Sequence, residues 1–104
     1  MKPIRVRPRA DADIDECAAY IARDNPDAAL RFLDAIEQAL ATLAEQPAMG
    51  SPRYAHLPMM EGLRMWVVSG FENYLMFYID RPHFIDVVRV LHAARDIPAL
   101  LQQR

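Results

Sequence analysis

The sequence predicts an α+β fold: a short N-terminal strand, an antiparallel helical hairpin, and a C-terminal antiparallel three-stranded meander on which the hairpin packs. Three observations carry this. Apolar residues recur at helical spacing twice in succession between residues 10 and 46. From residue 63 onward, three β-rich runs are separated by short turn-forming stretches. At 104 residues the chain is long enough for one core and too short for two, so residues 1–104 read as a single domain.

The elements follow in order. Ile4 and Val6 alternate with Arg5 and Arg7, the period-two pattern of a short strand, and Pro8 interrupts strand pairing. From about Ala10 to Arg23 the apolar positions are Ala10, Ile14, Cys17, Ala18 and Ile21, one face of a helix. Asp11, Asp13 and Asp15 sit in its first turns, where carboxylates favour the partial positive terminus. Asn25-Pro26 starts a second helix, Asn as cap and Pro at the first helical position, where its missing N–H costs nothing. It runs to about Gln46 with a stripe of Ala29, Phe32, Leu33, Ile36, Ala39, Leu40 and Leu43. Pro47 and Gly50-Ser51-Pro52 mark the stop. Only Asp24 and Asn25 lie between the helices, so they fold back on each other.

Residues 48–62 read as an extended loop. The strands are Leu63–Ser69, Tyr74–Asp80 and Phe84–His92, joined by Gly70-Phe71-Glu72-Asn73 and Arg81-Pro82-His83. Asp96 is expected to cap a last helical turn within Ala94–Arg104, with Ile97, Leu100 and Leu101 on one side. In the middle strand Leu75, Phe77 and Ile79 project one way and Tyr74, Met76 and Tyr78 the other. In the last, Ile85, Val87 and Leu91 oppose Phe84, Val88 and Val90. The hairpin covers one face of this sheet. The other is either a partner surface or shielded by loop 48–62 and the C-terminal turn, and the amount of apolar surface favours a partner.

Composition narrows the function. Apolar residues make up 53% and charged residues 25%, with no apolar run long enough to span a membrane. Residues 1–10 carry a net charge of +4, residues 11–45 a net −7, and the rest +1. A chain that works mainly by gripping phosphate backbone is usually net basic, so sequence-specific nucleic-acid binding is not expected. The charged N-terminus has no apolar run behind it and the lone Cys17 has no disulfide partner, which together suggest the cytoplasm. His56, His83 and His92 are too scattered for a metal site, three glycines cannot make a phosphate loop, and no cofactor is expected. Arg64 opens the first meander strand, while Arg89, His92 and Arg95 lie at or just past the end of the last. Gathered at one end of the sheet, they would form a cationic functional surface, or a phosphodiester-cleaving set with His92 as acid–base and Arg64 and Arg89 as charge clamps. The alternative is that both arginines are surface or ion-pairing groups and His92 a hydrogen-bonded structural residue. Strict alternation points Arg89 and His92 to opposite faces, so a joint site needs a bulge.

Five runs, in this order, carry a family resemblance: Ala10-Asp11-Ala12-Asp13-Ile14; Asn25-Pro26-Asp27-Ala28-Ala29; Leu43-Ala44-Glu45-Gln46-Pro47-Ala48-Met49-Gly50; Gly62-Leu63-Arg64; and Val88-Arg89-Val90-Leu91-His92-Ala93-Ala94-Arg95-Asp96. Together they resemble the ParE-type toxins of the RelE/ParE superfamily over nearly the whole chain. The resemblance implies the toxin of a type II toxin–antitoxin module, neutralised by a ParD-like antitoxin in a hetero-oligomer and inhibiting DNA gyrase by protein contact. It leaves open a ribosome-dependent mRNA endoribonuclease of RelE type, or a non-toxic homologue acting as an interaction module. Nuclease members use a set of Lys, Arg and Tyr residues, of which only Arg64 and Arg89 have counterparts here, while His92 resembles a His found in some nuclease members. Trp66, Tyr74, Met76 and Tyr78 are the expected antitoxin contacts.

Overall fold

Four strands form one mixed sheet, with a helical layer on one face and a thinner layer of loop and short helix on the other. The computed structural model describes residues 1–58 and 60–103. In chain order the elements are β1 (Ile4–Val6), α1 (Pro8–Ala22), α2 (Pro26–Glu45), β2 (Leu63–Val68), β3 (Phe71–Asp80), β4 (Ile85–His92) and α3 (Ile97–Leu101). The sheet order is β1-β4-β3-β2. β2, β3 and β4 make the expected antiparallel meander, and β1 joins it in parallel, with Ile4 opposite Ile85 and Val6 opposite Val87.

Pro8 does more than stop β1. It opens α1 behind an extended Arg7, so the helix starts two residues before the apolar spacing suggests. Helix α2 begins as expected, with the Asn25 side chain accepting from the Ala28 N–H at 3.1 Å and Pro26 in the first turn. Its buried stripe is Ala29, Phe32, Ile36, Ala39 and Leu43. Leu33, expected in that stripe, is 37% exposed, because Phe32 takes the inward position and one further residue rotates by about 100°.

The first hairpin is tighter than the sequence suggests. Val68 pairs with Phe71, leaving only Ser69 and Gly70 to turn. Gly70 has φ 82°, a left-handed conformation that costs glycine least, and its N–H donates to the Glu72 carboxylate. Phe71 is drawn into the strand because its ring packs edge-on against Phe32 at 5.4 Å.

Both faces of the sheet are covered. On the helical side Tyr74, Met76, Tyr78, Val87 and Val90 meet Ala10, Ile14, Phe32, Ile36 and Leu43. On the other side Leu63, Leu75, Phe77, Ile79, Val88 and Leu91 pack with Ile97, Leu100 and Leu101 of α3 and with Tyr54, Leu57 and Met60 of the loop. The partner surface expected on that second face is therefore closed within the chain itself. Asp96 caps α3 as expected, accepting from the Ala99 N–H at 3.3 Å. Met59 of the loop and Arg104 of the last expected turn lie outside the described residues. Alternation holds along β3 but breaks in β4. Phe77 faces Arg89 and Tyr78 faces Val87, so Val88 is a bulged extra residue, and Val90 joins Val87 on the helical side.

Candidate functional site

The structure does not gather the four candidate cationic groups at one place. In a three-strand meander the start of β2 and the end of β4 lie at opposite ends. Arg64 is opposite Tyr78 and His92 opposite Tyr74, about 13 Å apart along β3. Arg64 is half-buried and donates to the carbonyls of Ala48 (3.1 Å) and Gly50 (2.7 Å), tying down the segment after α2. Arg89 is 3% exposed, so it offers no surface to a partner. Its guanidinium donates to both carboxylate oxygens of Asp13, at 2.7 and 3.0 Å, and to the Leu100 carbonyl at 2.8 Å. The bulge at Val88 precedes Arg89 rather than separating it from His92, so the two still sit on opposite faces. His92 is half-buried with its ring edge-on to Tyr74 at 5.0 Å, and its Nδ1 accepts from the Ala94 N–H at 3.0 Å. Arg95 is exposed.

Three of the four expected antitoxin contacts are core residues. Tyr74, Met76 and Tyr78 lie under the helical hairpin, because the hairpin covers their side of β3. Trp66 is half-buried at the margin of the same core. Tyr78 holds the loop after α2 in place. Its hydroxyl donates to the Pro47 carbonyl at 2.7 Å and accepts from the Gly50 N–H at 2.9 Å. Burial raises the Tyr78 hydroxyl above the usual phenol value, against the Gly50 hydrogen bond and the Arg64 charge, which lower it. The Pro47–Gly50 run thus acquires a reason. A Cβ on Gly50 would stand 2.6 Å from the Tyr78 hydroxyl and 2.9 Å from Arg64 Cβ, so only glycine lets the loop pass here.

Sequence reasoning missed two features that the fold assembles. The first is a cleft of about 390 Å³ between α1 and the end of β4, lined by Glu16, Cys17, Tyr20, Tyr74, Leu91, His92 and Arg95 among others. Tyr20 is 61% exposed on its rim. Burial, with Asp13 and Glu16 nearby, pushes the Cys17 thiol up to about 11, which keeps it protonated and unreactive at neutral pH. Burial likewise raises Tyr74. The exposed helical aromatic at Tyr20 was a signal in the sequence, since nothing in the α1 stripe needs it.

The second is a charge cluster at the opposite end of β4. Asp86 accepts from Arg7 at 2.9 and 2.8 Å and from Arg81 at 3.2 and 3.0 Å. Burial works to raise the Asp86 carboxyl, but the two guanidinium groups together hold it below its ordinary value. The Asp86 hydrogen bond raises Arg7 in turn. Lys2 extends the cluster by pairing with Asp80.

Comparison with known proteins places this geometry. Residues 4–97 match the family described as "ParE toxin of type II toxin-antitoxin system, parDE". The chain is 34% identical over 100 residues to "Putative toxin Y4kP" of Sinorhizobium fredii (strain NBRC 101917 / NGR234), covering 96% of this chain and 97% of the relative. Its fold is similar to a chain of the solved "Chromosomal ParDE TA system from P. aeruginosa", with a TM-score of 0.70 and 19% identity over 88% of this chain and 96% of that one.

Proposed function

The chain belongs to the ParE toxin family of type II toxin–antitoxin systems, and on that premise we propose that it arrests replication by binding DNA gyrase, without cutting a nucleic acid, until a cognate ParD-like antitoxin holds it. The target and the antitoxin come from the family. What supports contact over cleavage is the dispersal of the groups a nuclease built from this chain would use. Cutting RNA through its own 2′-hydroxyl needs a base, an acid and a cation around one phosphate, each contributing roughly two or more orders of magnitude in rate. Here Arg89 is spent on Asp13, Arg64 on loop carbonyls, and His92 lies at the other end of the sheet from Arg64.

The test is expression of the wild type and of His92→Ala in cells lacking the antitoxin, with transcript ends mapped and chromosomal DNA examined. The expected result is intact transcripts with gyrase trapped on broken DNA for both proteins. Codon-positioned transcript cuts that vanish in His92→Ala would overturn the contact reading in favour of a ribosome-dependent nuclease.

A further inference from the structure

We propose that the pocket on the second face of the sheet, where the ends of β1 and β3 and the start of β4 meet the end of α3, binds a mononucleotide, with its phosphate on Arg7 and Arg81 and its base on an apolar floor. The proposal goes beyond the gyrase reading and does not depend on it.

The charge at this corner calls for an anion. Asp86 takes two N–H donors from Arg7 and two from Arg81. Arg5, its register partner across the β1–β4 pairing, stands 4.5 Å over the Phe84 ring. Lys2 pairs with Asp80 beside them. Four cations thus meet two acids, leaving two positive charges over. A phosphate monoester carries about −1.5 to −2 at neutral pH, a close match.

The two guanidinium groups are also set for a second acceptor. Asp86 uses the Nε and Nη2 of each, and neither Nη1 bonds to anything among the described residues. The Arg7 and Arg81 side chains stay 45% and 41% exposed, and both line the pocket. Held by one carboxylate, they have already lost the side-chain freedom that binding would otherwise cost. Phosphate oxygens accept such charge-assisted bonds well. Side chains hold the phosphate here, with no need of a glycine-rich loop.

The pocket's body suits a flat heteroaromatic ring. It holds about 500 Å³, within the roughly 300–1,000 Å³ usual for small-ligand sites. Ile79 of β3 and Val88 of β4 form the sheet side, and Met60 and Leu101 belong to the layer that covers it. The β4 bulge turns Val88 to this face. Gln102 and Gln103, both exposed, add two amides at the wall, each with donors and an acceptor. Such amides match the edge of a base, and a fatty chain has nothing to offer them. A long polyanion fits less well, because residues 11–45, on the far side of the sheet, carry a net −7 and repel it.

The experiment titrates the purified full chain with AMP, GMP, CMP and UMP by calorimetry, beside adenosine, inorganic phosphate and decanoate. At least one mononucleotide is expected to bind ~10-fold or more tightly than any of the three comparison compounds. Arg81→Gln, which leaves Arg7 on Asp86, should weaken that nucleotide at least ~10-fold. The double variant Gln102→Glu with Gln103→Glu changes two exposed positions and sets two carboxylates against the phosphate. It should melt like the wild type and lose affinity to the same degree, and it decides the matter if Arg81→Gln fails to fold. Gln38→Glu, on the exposed side of α2, should bind like the wild type. Four results would each overturn the proposal. They are no binding of any mononucleotide, inorganic phosphate binding as tightly as the nucleotides, decanoate binding more tightly, and a double variant within about twofold of wild type.

Discussion

Removing the Asp13 carboxylate should cost more stability than any surface change in this protein. Asp13 and Arg89 are 2% and 3% exposed, joined by bonds of 2.7 and 3.0 Å, and the same carboxylate satisfies the Val90 N–H. In Asp13→Ala the guanidinium stays buried with only the Leu100 carbonyl as partner, and the Val90 N–H is orphaned. Arg9, the other cation near Asp13 at 3.6 Å, cannot replace a lost acceptor. Breaking one side of a buried pair costs about 3–5 kcal/mol, against a total of about 5–15 kcal/mol for a domain of this size. The variant therefore loses a large share of its stability. Urea unfolding followed by circular dichroism measures this through the midpoint at constant slope. The double variant Asp13→Leu with Arg89→Met separates charge from packing. It removes both charges, so it should lose less than Asp13→Ala alone despite two changes. If Asp13→Ala unfolds within about 1 kcal/mol of wild type, or the cycle shows no coupling, the pair is not what joins α1, β4 and α3.

Two further predictions concern protons. The Asp86 carboxyl is held below its ordinary value of 3.8, so the unfolded chain binds its proton first as pH falls. Its contribution is complete above the unfolded value and is lost as pH drops through the lower folded one; Asp86→Asn should flatten the acid limb of a stability–pH curve, and an unchanged limb would refute the Arg7–Asp86–Arg81 account. With its thiol at about 11, Cys17 is about one-thousandth thiolate at pH 8, against roughly a quarter for a free cysteine. Thiol labelling of the native chain should therefore run on the order of a hundredfold slower than in denaturant, and equal rates would refute the burial argument.

How much of this was legible depended on how local the signal was. Asn25-Pro26 and Asp96 specify helix starts through atoms within three residues, and both caps form where expected. Pro8 carries the same first-turn signal as Pro26, but directly behind a strand its missing N–H reads first as a stop. The opposite placement of Arg64 and His92 follows from meander topology alone. The Asp13–Arg89 pair was not legible: 76 residues separate the partners, and an acid in the first turns of a helix already has a local explanation. The covered second face also needed tertiary information. Loop 48–62 contains Tyr54, Leu57 and Met60, but no periodicity marks an irregular segment as a lid.

The parallel seat of β1 beside β4 has a consequence for synthesis. Ile4 is among the first residues made, and its partner Ile85 comes 81 positions later (85 − 4). At about 5–20 residues per second, β1 waits roughly 4–16 s for the strand it must pair with. A growing chain can close the helical hairpin early, since its contacts are near neighbours in sequence, but it cannot complete the sheet until nearly all of it has left the ribosome. An interrupted message ending before β4 therefore yields a fragment that lacks one of the sheet's two inner strands and leaves β1 without its partner, unable to present the finished toxin surface. The order of assembly delays the poison until translation of its own message is almost done.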